Sequence, residues 1–369
     1  MAGPHTTSAP RPRATSRFTR DVADTAYRGL VRPALFRADA ESAHHGTVVA
    51  ADLLGRTPVT RALAAVAGYA VGPGQPDPAP VELLGLSFRN RIGLAAGLDK
   101  DGRGIATWSA LGLGHVELGT VTPRPQPGNQ RPRVLRLPRS QAVINRMGFN
   151  NHGVHALAER LRHARQEGLV RMPVGVSIGK NKDTPVEEAA ADYLACVAAL
   201  EGLADYLAVN VSSPNTPDLR SLQDAGPLGE LIREVVAAAA PTPVLVKLAP
   251  DLTDPALDEA LDVALEAGAA GIIAVNTTIT RDNLAPQDRR RGAAEQGGLS
   301  GGPLTLRARE VVARVRARTE MPVIGVGGVL TGSDARALVE AGADLVQLYT
   351  GLVYAGPALI GAAVRAADG

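Results

Sequence analysis

The sequence predicts an α/β protein: a (β/α)8 TIM barrel preceded by a small N-terminal helical subdomain. Three observations carry this. Short apolar runs alternate with helix-like segments eight times between Ile92 and the C-terminus. The runs are nearly continuous in Val, Ile and Leu, as strands buried on both faces are. The competing doubly wound sheet usually shows G-x-G-x-x-G after its first strand, and neither that pattern nor a Walker A loop is present.

Taken from the N-terminus, residues 1–20 hold four Arg, no acid, three Pro and no apolar core. That excludes a secretory signal and reads as a disordered basic tail. Residues 21–72 form a helical unit. Val22, Ala26, Tyr27, Leu30, Val31, Leu35 and Phe36 recur at helical spacing, with Pro33 placed to kink or split the helix. Glu41–Leu54 is a second helix with Gly55 as its stop, and Val59–Val71 a third. Over residues 1–72 nine Arg face five acids. Such a basic set of amphipathic helices is either a packed subdomain or a pair of helices lying on an anionic membrane surface. Gly72-Pro73-Gly74-Gln75-Pro76-Asp77-Pro78 marks a linker over 73–80, and the barrel takes 81–369.

Within the barrel, a hairpin-like Val81–Phe88 precedes strands at Ile92–Ala96, Val116–Gly119, Val174–Ile178, Tyr206–Val211, Val244–Leu248, Gly271–Asn276, Val323–Val326 and Asp344–Tyr349. Helices are expected at His152–Gln166, Pro185–Leu200, Leu228–Ala239, Pro255–Ala267, Leu304–Arg318 and Ser333–Ala341. The intervals after the second and sixth strands are stretched; they contain Thr122–Asn129, and Arg289–Arg291 with Gly297–Gly301. Long loops at the C-terminal face of a barrel are where function concentrates.

Composition narrows the function. The 369 residues carry a net charge of +2, which makes no case for nucleic acid. A single cysteine, Cys196, excludes an intrachain disulfide and a four-cysteine metal site. No run of 18 uncharged apolar residues exists, so no transmembrane helix is expected. Of 39 basic residues only four are lysine: Lys100, Lys180, Lys182 and Lys247. All four fall at the expected barrel mouth, where a slim cation of tunable pKa is not replaced by the rigid guanidinium fork. Gly327-Gly328 and Thr350-Gly351 follow strands seven and eight, the usual phosphate corner of this fold, with simple tight turns as the alternative. Asn145, Asn181, Asn210, Asn215 and Asn276 suit a flat heterocycle with alternating C=O and N–H groups, although any one of them also fits turn chemistry. The histidines show no metal-ligand cluster and are expected at the surface.

Several motifs are long and ordered. They are Ala96-Gly97-Leu98-Asp99-Lys100-Asp101-Gly102, Gly119–Asn129, Ile144-Asn145-Arg146-Met147-Gly148-Phe149-Asn150-Asn151, Gly179–Pro185, Asn210-Val211-Ser212-Ser213-Pro214-Asn215-Thr216, and Gly298-Leu299-Ser300-Gly301. Together they resemble the class 2, quinone-dependent dihydroorotate dehydrogenases, from about Tyr27 to the end. The resemblance implies one FMN per chain in the barrel and oxidation of dihydroorotate to orotate in pyrimidine synthesis. It implies Ser213 as the base for the C5 proton; class 1 members carry cysteine there. Thr216 and Phe149 match the flanks of the proton relay. Asn145, Asn210, Asn215, Asn276 and Thr277 match the positions that hold the pyrimidine and its carboxylate, with Arg146, Met147 and Gly148 in the same motif. Lys100 matches a residue beside substrate and flavin. Lys247 matches the cation near the flavin N1/O2 edge, which tunes the cofactor. Ala96, Gly97, Leu98, Asp99, Thr120, Asn181, Asn210, Val275, Gly301, Gly328, Tyr349 and Thr350 match further FMN contacts.

The same resemblance gives the N-terminal helices a role as a lipid-facing cap with a quinone tunnel, with His44 and Arg136 near the quinone head group. It places the protein peripherally on the cytoplasmic face of the cell membrane, against anionic lipid. Val275 departs from a relative that carries Thr there; a contact through the backbone survives this change and one through the hydroxyl does not. The competing readings are a Schiff-base aldolase using Lys180 or Lys247, a class 1 flavin barrel with a soluble acceptor, and a membrane-docked scaffold without activity.

Overall fold

The computed structural model describes residues 24–71 and 79–368. The basic tail over 1–20 and most of the linker over 73–80 lie outside the described residues. The N-terminal unit opens with α1 (Tyr27–Val31), a π-helical turn that runs straight into α2 (Arg32–Arg37). Pro33 closely follows the π-helical turn, and the helix changes register there instead of ending. Asp39 accepts from the Ser42 N–H and starts α3 (Ala40–Gly55). Gly55 is still helical; the break is made by Thr57, whose hydroxyl accepts from the Thr60 N–H ahead of α4 (Pro58–Val71).

The hairpin is β1 (Val81–Leu83) and β2 (Leu86–Phe88), paired antiparallel. The barrel then runs β3 (Ile92–Leu94), α5 (Ile105–Ala110), β4 (His115–Val121), β5 (Val134–Leu137), β6 (Ala142–Asn145), α6 (Val154–Gln166), β7 (Val174–Ile178), α7 (Ala189–Leu200), β8 (Tyr206–Asn210), α8 (Ala225–Ala239) and β9 (Val244–Leu248). It continues through α9 (Asp254–Glu266), β10 (Gly271–Ala274), α10 (Pro286–Ala293), β11 (Gly298–Gly301), α11 (Thr305–Arg318), β12 (Val323–Val326), α12 (Gly332–Glu340), β13 (Leu345–Leu348), α13 (Thr350–Ala355) and α14 (Ala358–Ala367). Eight parallel strands close in the order β10-β12-β13-β3-β4-β7-β8-β9, as the alternation predicts.

The two stretched intervals turn out to belong together. β5 and β6 come from the first and β11 from the second, and they form one antiparallel three-stranded sheet with β6 in the middle. Gly298 lies opposite Asn145 and Gly301 opposite Ala142, so the sheet fixes two motif segments against each other.

Inward positions along the barrel strands change character with height. The lower layer is apolar: Phe88 of the hairpin, Tyr206, Leu245, Ile273, Ile324 and Leu345 pack together. Two rings of unusual size fit here because their neighbours are glycine. A Cβ on Gly175 would meet the Tyr206 ring at 2.0 Å, and one on Gly93 the His115 imidazole at 2.2 Å. One step higher, period two brings Glu117, Ser177, Lys247 and Gln347 inward, all buried. His115 therefore contradicts the expectation of surface histidines: it is fully buried, edge-on to Phe88 at 5.5 Å. Among the described residues no helix is long and apolar enough to cross a membrane.

Candidate active site

A cavity of about 260 Å3 starts on this polar layer, passes the strand ends and the β5-β6-β11 sheet, and runs on between the N-terminal helices. It is lined by residues from both units, which is the geometric content of the cap.

The lower chamber is built from amides and hydroxyls. Asn276 Nδ2 donates to Asn210 Oδ1 at 3.2 Å and to Ser212 Oγ at 2.9 Å. Asn210 Nδ2 in turn donates to Thr120 Oγ1 at 2.8 Å, and Asn215 Nδ2 to Asn145 Oδ1 at 3.2 Å. Ser213 is buried, and its Oγ accepts the Asn215 N–H at 3.3 Å. These groups are oriented by one another, so little reorganisation is left for ligand binding. Arg220, which the sequence reading missed, ties two of the loops together. It donates to Ser212 O at 3.0 Å and Thr277 O at 3.2 Å while paired with Asp251 at 2.9 Å.

Lys100 enters from the β3 end, donating to Met147 Sδ at 3.2 Å and to Asn150 Oδ1. Burial, with the Arg133 charge adding to it, pushes its ammonium down to about 8. Phe149 stands on the wall in the left-handed region, φ 52°. Gly301 (φ 93°) at the end of β11 and Gly328 (φ 70°) after β12 both line the cavity. A Cβ on either would lie 2.2 Å from Gln141 O or Thr305 Cα. Ser300 Oγ and Thr350 Oγ1, 2.8 Å apart, flank this corner, and Thr350 and Gly351, the first residues of α13, line it. That set suits a phosphate. On the floor, Gln347 Oε1 is buried without a partner and Lys247 pairs with Glu117 at 3.3 Å. An orphaned acceptor beside a cation suits a flat imide heterocycle.

The upper chamber is mostly apolar, with Leu35, Phe36, Ala43, Val134 and Val143 among its walls. Arg136 spans the joint between cap and barrel. Its guanidinium lies 4.6 Å over the Phe36 ring and donates to Leu35 O at 2.9 Å and to Ala38 O. His44 lines the same chamber; burial, then the nearby Lys100 charge, push its imidazole down to about 4, so it is neutral at pH 7. Glu41 of α3 is buried against Arg133, with bonds of 2.7 to 3.1 Å. Arg133 also holds the carbonyls of Pro127 and Asn129 at 2.6 and 2.7 Å.

A scan of the sequence finds that residues 79–365 match the family model described as dihydroorotate dehydrogenase. The chain belongs to the dihydroorotate dehydrogenase family. A protein named dihydroorotate dehydrogenase (quinone) from Salinispora arenicola (strain CNS-205) is 53% identical over 343 residues, 92% of this chain and 98% of that one. One of the same name from Anaeromyxobacter sp. (strain K) is 51% identical, covering 90% and 89%. The crystal structure of the ligand-free type from Eimeria tenella superposes with a TM-score of 0.73 at 35% identity, covering 86% of this chain and 92% of that chain.

Most of the family-matched positions meet on the cavity wall: Ser213, the four asparagines Asn145, Asn210, Asn215 and Asn276, Lys100, Lys247, Tyr349 and the two glycines among them. Four matched residues do not reach it. Asp99 is buried behind the wall, accepting from the N–H groups of Arg103 and Gly104 and from Trp108 Nε1. The Asn181 amide is engaged with Thr122, Arg124 and Gln126, so it shapes a loop. Arg146 turns outward to Pro132 O at 2.6 Å. Thr216 is buried, its hydroxyl without a partner. Val275 is on the wall, its N–H donated to Val326 O at 2.9 Å, so its side chain offers the cavity only apolar surface. The lysines divide in two. Lys100 and Lys247 line the cavity. Lys180 donates to Thr184 O at 2.8 Å and Lys182 to Asn129 Oδ1 at 2.8 Å, bracing loops outside it. Lys180 therefore lies off this cavity.

Proposed function

We propose that the chain oxidises (S)-dihydroorotate to orotate in pyrimidine synthesis, with FMN as its prosthetic group and a membrane quinone as electron acceptor. The observation that carries this is the continuity of one cavity. An amide-lined chamber with a serine at its wall opens into an apolar chamber between cap helices. FMN fits the lower chamber on two features, the bare glycine corner for its phosphate and the unpartnered Gln347 acceptor for its imide edge.

When bound, FMN supplies the acceptor for the hydride from C6 and passes the two electrons on to the quinone. The chain's own residues do the rest. Asn145, Asn210, Asn215 and Asn276 hold the pyrimidine through its alternating donors and acceptors, with Thr277 beside them. Lys100 meets the carboxylate with a buried cation. Ser213 Oγ takes the C5 proton. A hydroxyl is a weak base, so the proton must pass on, and Phe149 and Thr216 flank the way out. The quinone enters past His44 and Arg136. Exposed Leu30, Leu53, Val59 and Leu63 lie on cap helices that also carry Arg28, Arg32, Arg37 and Arg61, with Arg56 between α3 and α4. That mixture supports peripheral docking on anionic lipid at the cytoplasmic face.

The test is direct. Purified protein is expected to be yellow, to bleach anaerobically with dihydroorotate and to recover colour with a quinone. Replacing Ser213 by Ala is expected to slow bleaching by roughly 10²- to 10⁴-fold with orotate binding nearly unchanged. Colourless protein, or unimpaired bleaching in the alanine variant, would overturn the reading.

A further inference from the structure

We propose that Glu117 is a positioning residue for the flavin. Its carboxylate, one layer beneath the cavity, fixes the Lys247 ammonium and the Gln347 amide as a cation and an acceptor facing the imide edge, and so sets the cofactor's affinity and reduction potential. The inference rests on the FMN reading above and deepens it.

Glu117 is fully buried and has three partners. Lys247 Nζ is 3.3 Å from Oε1, and Gln347 Nε2 donates to Oε2 at 2.8 Å. Tyr206 OH donates to Oε2 at 3.4 Å and accepts from Gln347 Nε2 at 3.3 Å. Lys247 and Gln347 line the cavity while Glu117 and Tyr206 do not. The carboxylate thus works from behind.

Two consequences follow from this arrangement. The first concerns the amide. A carboxylate only accepts, so Gln347 must aim its NH2 group downward and its oxygen elsewhere. That oxygen is the buried atom left without a partner. A flavin imide offers one N–H between two carbonyls, which is the donor this acceptor lacks. The second concerns the charge. A buried ammonium needs a counter-charge, and the Glu117 carboxylate in contact with Lys247 Nζ supplies it. Lys247 pairs with the carboxylate and lines the cavity, so its charge would favour a bound carbonyl that gains negative charge on reduction.

The experiment uses the purified holoenzyme. The midpoint potential and the FMN dissociation constant are measured for wild type, Glu117→Gln, Lys247→Met and the double variant. Glu117→Gln is expected to shift the two-electron equilibrium about tenfold toward oxidised flavin, about 30 mV lower, and to weaken FMN retention about tenfold. In the Lys247→Met background the same change is expected to leave the potential where Lys247→Met alone put it. An unchanged or raised potential, or an equal shift in both backgrounds, overturns the proposal; a lower melting temperature with an unmoved potential would mean a purely structural ion pair. If Glu117→Gln does not fold, Glu117→Asp withdraws the carboxylate by one methylene and must give a smaller shift of the same sign. Colourless wild type defeats the FMN reading itself; yellow wild type with an unmoved variant defeats only the role of Glu117.

Discussion

His115 makes stability depend on pH in a way that can be worked through. Both of its ring nitrogens are buried and unpartnered, and burial pushes the imidazole down to about 3. An unfolded chain titrates this group near 6.5. Between the two values the unfolded state binds a proton that the folded state refuses. Stability from this site is therefore complete above about pH 6.5 and falls as the pH drops toward 3. At pH 5 the loss is about 2 kcal/mol relative to pH 7. His115→Leu removes the titration. Its packing penalty or gain is the same at both pH values, and the pH-dependent contribution of His44 is the same in both proteins, so both cancel in the comparison. Urea unfolding followed by circular dichroism at pH 5 and pH 7 measures the two differences. The variant should lose about 2 kcal/mol less than wild type on acidification. Equal losses would refute the claim that this imidazole is held neutral in the folded barrel.

Other expectations concern the cavity. Lys100, pushed down to about 8 by burial, loses its charge as the pH rises through that value. Orotate affinity should fall by roughly 10- to 30-fold between pH 7 and 9.5, whereas Lys100→Met should bind weakly at every pH; parallel profiles would exclude it as the carboxylate's partner. Arg136→Ala removes the clamp on Leu35 and Ala38 and should raise the quinone KM about tenfold, while stopped-flow bleaching by dihydroorotate stays within about twofold. Glu41→Ala leaves the buried Arg133 guanidinium without its anion. It should cost about 3 to 5 kcal/mol in unfolding measurements, and orotate titration should also weaken because Arg133 holds the loop of Asn129, whose amide donates to Asn215 O at 3.1 Å.

The barrel strands were readable because each is buried on both faces and its apolar run is continuous. β5, β6 and β11 were not, since they are short, lie outside the barrel and mix Arg, Asn, Ser and Gly with apolar residues. Their partners are also far apart in sequence: Ser300 Oγ donates to Val143 O across 157 positions. The polar layer of the barrel escaped for a related reason. Glu117 and Gln347 sit in apolar runs where one polar residue carries no label of its direction. Lysine scarcity pointed to the right end of the barrel, yet it did not distinguish the two lysines aimed into the cavity from the two aimed into loops.

What the sequence alone determined is what local patterning encodes. That is the alternation that makes a barrel, the helical spacing of the cap, and motif segments whose order marks the family. What the tertiary structure decided is which atoms face one another. Asp99 and Asn181 stand inside matched motifs and turn away from the cavity; Glu117, Gln347, Arg220 and Glu41 stand outside them and organise it. The reason is physical: a motif fixes a segment's backbone path, but where a side chain points depends on strands and loops brought beside it from elsewhere in the chain.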